Sequence, residues 1–115
     1  MIDIEELEFT VDRAIGYMNI DISWGQCETV SYQLKEIIDM TADSRVIDPC
    51  SLVYLQPEAC SVWGTGHRVL LVDDSYIIDP VAQNSVFGAY FTKSVFYIEE
   101  YKNLLKTILE RKERA

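Results

Sequence analysis

With 115 residues, 49% of them apolar, and seven Tyr, four Phe and two Trp, the chain holds more core-forming side chains than a disordered segment and enough for one domain, not two. Apolar runs such as VLLV at 69–72 fall far short of the roughly 20 residues a membrane span needs, and MIDIEELEFT places acids where an export signal has a basic region and an apolar core. Ten basic against nineteen acidic side chains give a net charge of −9, which argues against a nucleic-acid partner and suits a basic protein partner.

The expected compartment is the cytoplasm; delivery by a signal-independent route would leave no mark in the sequence. Asp3 caps a predicted helix over 4–18, where Ile4, Leu7, Val11, Ala14 and Met18 step by three and four and Glu6 takes the capping-box position. NIDI at 19–22 breaks the pattern. Ser23 with Gln26 then reads as a second capping signature, starting a helix from about Trp24 to Met40 whose inner stripe is Cys27, Val30, Leu34, Ile37 and Ile38.

TADSRVIDPC at 41–50 reads as a loop because of its polar residues and its Asp-Pro pair. LVYL at 52–55 and CSVW at 60–63 read as short strands separated by QPEA. GTG at 64–66 is a turn or a close-approach loop, and HRVLLV, DDS and YIID form a hairpin pattern. A strand is expected within FTKSVFYI at 91–98. Residues 99–115 form a terminal helix with an apolar stripe at Leu104, Leu105, Ile108 and Leu109, and with Lys and Arg in its last turns to complement the helix dipole. Helix, helix, antiparallel strands, helix is an α+β order, with the N-terminal helices packed on a small sheet.

Cys27 lies in the first turn of the second helix, where unpaired N–H groups and the dipole favour a thiolate and can hold an oxyanion. A helix-terminal cysteine is otherwise a small apolar filler. His67 is the single histidine, so a Cys–His mechanism has one assignment. With a three-residue connection Asp73–Asp74–Ser75, Val72 pairs with Tyr76, His67 falls opposite Val81, and Asp79 becomes its diagonal neighbour on the same face. A two-residue connection puts His67 and Asp79 on opposite faces. Trp24 and Trp63 either wall a substrate channel or pack in the core, and Gln26 and Gly66 are the other expected substrate-binding positions. One histidine and no short Cys spacing argue against a metal site, although a Cys50–Cys60 disulfide is compatible with the spacing.

GQC at a helix start, GH at a strand start and an aliphatic run closing in Asp-Pro resemble the papain-like and transglutaminase-like cysteine enzymes over residues 23–80. The resemblance implies that fold, Cys27 as nucleophile, His67 as base, Asp79 as orienting acid, and no cofactor. Asp21 stands where papain-type peptidases carry an oxyanion-hole glutamine, and Glu28 where transglutaminases carry an aromatic. The expected function is amide hydrolysis or acyl transfer through a Cys27 thioester, on a protein glutamine side chain or a peptide bond. The alternative is a non-catalytic acidic protein, of inhibitor or immunity type, that docks on a basic partner.

Overall fold

All four side chains of the strand Val69–Val72 are buried, a pattern that requires cover on both faces of its sheet. The computed structural model, which describes residues 1–52, 57–64 and 66–114, supplies that cover. Its elements are α1 (Ile4–Tyr17), α2 (Cys27–Ile38), β1 (Ser44–Ile47), the one-turn helix α3 (Pro57–Cys60), β2 (Val69–Val72), β3 (Tyr76–Ile78), β4 (Val95–Tyr97) and α4 (Ile98–Arg114). Short 3-10 turns occupy Pro49–Ser51, Val81–Asn84 and Gly88–Tyr90. The strands form one antiparallel sheet in the order β1-β2-β3-β4. The α+β class expected from the element order is therefore present.

Strand alternation divides the core into two. Leu70, Val72, Tyr76, Ile78 and Val95 point to the side where Leu7, Val11 and Ala14 of α1 and Val30, Leu34 and Ile38 of α2 pack. Val69, Leu71, Ile77 and Phe96 point to the other side and meet Tyr101, Leu105 and Ile108 of α4, together with Ala59, Val62, Trp63 and Phe91. Leu105 and Ile108 thus lie on the inner stripe, as expected, with Leu104 and Leu109 at its margin.

Asp3 caps α1 by accepting the Glu5 N–H at 2.8 Å, as its sequence predicts. The second cap differs. Ser23 donates its hydroxyl to Asp21, Gly25 adopts φ +103°, and α2 begins only at Cys27, with Gln26 as a cap residue whose side chain makes no capping bond. The helix ends at Ile38, and Lys35 Nζ ties that end down by donating to Asp39 at 2.6 Å and to the Ser44 carbonyl at 2.8 Å. That lysine and the Ser44 hydroxyl hold the Asp39 carboxyl below the usual carboxylate range.

Two further expectations are corrected. SRVI within the anticipated 41–50 loop is β1, an edge strand whose polar Ser44 and solvent-facing Arg45 hide its strand character. CSVW is not a strand: Pro57, fixed in φ, starts the α3 turn through Cys60, and Val62 and Trp63 follow in a turn that buries them. Of LVYL only Leu52 is described, as the residue closing a 3-10 turn; 53–55 lie outside the described residues, as does the side chain of Cys60 and with it the Cys50–Cys60 pairing.

Between β3 and β4 the chain leaves the sheet through two 3-10 turns packed closely on each other. A Cβ on Gly88 would lie 2.3 Å from the Gln83 carbonyl oxygen, a backbone atom that a rotamer change cannot move. Gly88→Ala is expected to lower stability by about 1–3 kcal/mol, read as a lower urea midpoint at unchanged slope. An unchanged midpoint would mean that this excursion rearranges at no cost.

Candidate active site

The β2–β3 connection decides whether His67 and Asp79 can meet. Asp73 and Asp74 both adopt left-handed φ, at 51° and 52°, Ser75 N–H closes on the Val72 carbonyl at 3.0 Å, and Val72 pairs with Tyr76. The connection is three residues long. The two side chains therefore share the α4 side of the sheet, and His67 Nε2–H donates to Asp79 Oδ2 at 2.8 Å. Both are buried, with 4% and 1% of their surfaces exposed.

Asp79 is held by more than His67. Tyr101 of α4 donates its hydroxyl to the same Oδ2 at 2.7 Å, and the Ala82 N–H donates to Oδ1 at 3.3 Å as the chain turns out of β3 through Asp-Pro. A carboxylate this deep is tolerable only with such partners. Burial, with the Asp79 charge adding to it, pushes the Tyr101 phenol well above its ordinary range, so Tyr101 stays a donor at any working pH. The buried Trp63 Nε1–H acts on that hydroxyl in the lowering direction, without completing a hydrogen bond of its own among the described residues.

Cys27 approaches from the other helical layer. It is the first residue of α2, half-buried against the α1–α2 core, and its thiol donates to the Gly66 carbonyl at 3.7 Å, beside the peptide that leads into His67. Gly66 has φ +87°, which a side-chain-bearing residue adopts only with strain, and this turns its carbonyl to the sulfur. The first intrahelical bond runs from Val30 N–H to the Gln26 carbonyl at 2.9 Å. The N–H groups of Cys27, Glu28 and Thr29 have no acceptor within the helix and remain available to an anion.

Aromatic rings join the two halves. The His67 imidazole stacks on Trp63 with centroids 4.4 Å apart and on Trp24 at 5.4 Å, while the two indoles are 5.5 Å from each other. These distances make a triangle of rings rather than a sandwich. Trp63 is core, 8% exposed, and Trp24 is the outer ring, 48% exposed. Asn84 donates to the Ile22 carbonyl at 2.9 Å and holds the segment that leads to Trp24.

No family model, curated protein or solved structure matches the chain. The fold brings His67, Asp79, Trp24 and Trp63 into one cluster and sets Cys27 and Gly66 against it, while Gln26 sits exposed at the helix cap. Asp21 supplies no donor: it accepts from the Ser23 hydroxyl and amide, which hold its carboxyl below the usual range. Among the described residues no three His, Cys, Asp or Glu side chains stand close enough to hold a metal ion. The concave surface lined by Met1, Ile2, Glu6, Asp39, Asp43 and Asp73 contains none of the site residues. Tyr101 is the member that sequence reasoning missed, although a phenol three and four residues from apolar stripe positions is a signal that its hydroxyl needs a buried partner.

Proposed function

We propose that the chain is a small thiol enzyme of papain-like or transglutaminase-like type that acts on an amide, with Cys27 as nucleophile, His67 as base and Asp79 as the group that orients the imidazole. The observation that carries this reading is the buried 2.8 Å bond from His67 Nε2 to Asp79, made beside a cysteine at an uncapped helix N-terminus. Because Asp79 occupies Nε2, Nδ1 is the nitrogen left to take the thiol proton. The thiol must then turn from the Gly66 carbonyl toward the ring.

The thiolate attacks the amide carbon, and the resulting oxyanion faces the free N–H groups of the first α2 turn. As the C–N bond breaks, the imidazolium gives its proton to the departing nitrogen, which leaves as ammonia from a glutamine side chain or as an amine from a peptide bond. The thioester is then resolved by water, with His67 taking the water proton, or by an amine. Trp24, exposed beside the base, suits a side chain presented on a protein surface better than a long threaded peptide.

A second reading rests on α1, where Phe9 and Tyr17 are exposed on either side of Arg13, whose guanidinium stacks on both rings, beside exposed Glu5 and Asp12. An acidic binding protein would use such a face on a basic partner. Iodoacetamide labelling followed by peptide mass spectrometry separates the two. Cys27 should react at least about tenfold faster than Cys50 and Cys60 near neutral pH, and glutamine-containing protein should release ammonia in its presence. Slow, uniform labelling of the three thiols removes the catalytic reading and leaves the binding one.

A further inference from the structure

We infer that Tyr101 is a positioning residue that sets the pH range over which the His67–Cys27 pair works; the inference rests on the catalytic reading above. Its basis is an unequal load on one carboxylate. Among the described residues, Oδ2 of Asp79 accepts two short bonds, 2.8 Å from His67 and 2.7 Å from Tyr101, whereas Oδ1 accepts a single longer one of 3.3 Å from Ala82. Two donors on one oxygen compete for the same electron density.

The competition has a sign. When His67 is neutral, Asp79 carries an uncompensated negative charge in the core, and the Tyr101 hydroxyl interacts with it most strongly. When His67 is protonated, its cation draws on the same oxygen and the phenol bond weakens. Tyr101 therefore favours the neutral imidazole and limits how far into alkaline conditions the imidazolium persists. Without it the thiolate–imidazolium pair should survive to higher pH.

The phenol can act this way because it does not titrate itself, being held protonated by burial and by Asp79. Among the described residues, the titratable groups acting on Tyr101 are Asp79 and, more weakly, Cys50 from the 3-10 turn beside α3. His67 faces Asp79 at the end of β3; the Cys27 thiol at the start of α2 donates to the neighbouring Gly66 carbonyl, and Arg68 donates to the His67 carbonyl at 3.1 Å rather than to its ring. Position in the fold supports the assignment too. Tyr101 is in the first turn of α4, fixed against Phe91 and Phe96, so its hydroxyl is held to the carboxylate by packing and not by a mobile loop.

The test is the rate of Cys27 alkylation by iodoacetamide as a function of pH, measured on the full chain for the parent protein, Tyr101→Phe and His67→Ala. The parent should have two inflections, the upper one from loss of the imidazolium. Tyr101→Phe keeps the ring and removes the hydroxyl, and its upper inflection should move upward by about half to one pH unit. A uniform change in rate with both inflections in place, or a downward move, means that Tyr101 only supports the fold, and the inference is overturned while the catalytic reading stands. If His67→Ala leaves the parent profile as it was, the thiol and the imidazole do not interact, and both fall together.

Discussion

On the proposed mechanism, His67→Ala should lower the alkylation rate of Cys27 at neutral pH by about ten- to hundredfold, since the thiolate would lose its cationic partner and one pH unit of displacement is a tenfold change in thiolate fraction. In the proposed mechanism helix α2 would supply the rest of the activation, and the substitution leaves it untouched. Because the imidazole is 4% exposed and packed on Trp63, the alanine variant also opens a cavity, and a loss of rate could come from loosened structure. His67→Gln answers that objection by keeping a side-chain N–H for Asp79 without a base. Both variants should be slow, with the far-UV circular dichroism of the parent. A glutamine variant as reactive as the parent would place His67 among the structural histidines.

The second large effect is on stability. Asp79→Ala deletes the one acceptor shared by His67 Nε2–H, the Tyr101 hydroxyl and the Ala82 N–H, leaving three donors unmatched in the core between the sheet and α4. Breaking a buried charged network from one side costs about 3–5 kcal/mol. Asp79→Asn retains a carbonyl acceptor but presents an N–H₂ to the remaining donors, so it should lose less stability and still weaken the orientation of the imidazole. Urea unfolding measures both. A loss below about 1 kcal/mol for the alanine variant would show that water or rearrangement replaces the carboxylate, contrary to a preorganised site.

Periodicity carried the readable part of the fold. Leu7, Val11 and Ala14 announce α1 because burial on one face imposes a helical step, and VLLV followed by DDS and YII announces the hairpin because its flanks are β-branched and its turn is polar. The parity of that turn was enough to put His67 and Asp79 on one side. What remained hidden depended on tertiary context. SRVI is an edge strand, where only Val46 and Ile47 need be apolar, so its composition resembles a loop. CSVW has β-prone composition but follows Pro57, and the pull of Val62 and Trp63 into the α4 core outweighs their local preference. Ser23 does not serve as the cap because Gly25, at φ +103°, delays the helix to Cys27, while the Ser23 hydroxyl donates to Asp21 two residues back. The partner of Tyr101 was hidden by distance: the local pattern shows that its hydroxyl needs a buried acceptor, but Asp79 lies 22 residues away.

The proposed nucleophile and its proposed base belong to different halves of the interior. Cys27 rides on the α1–α2 core and the His67 ring on the Trp63–Tyr101 core, with the sheet as partition, so their alignment depends on the registration of two layers that each hold together by themselves. Partial, sub-global openings that shift one layer over the sheet cost less than complete unfolding. The proposed chemistry is therefore more fragile than the architecture. A warmed or mildly denatured population is expected to retain its helices and its sheet and already to have lost the approach of the Cys27 sulfur to the segment leading into His67, on which the proposed turnover would depend.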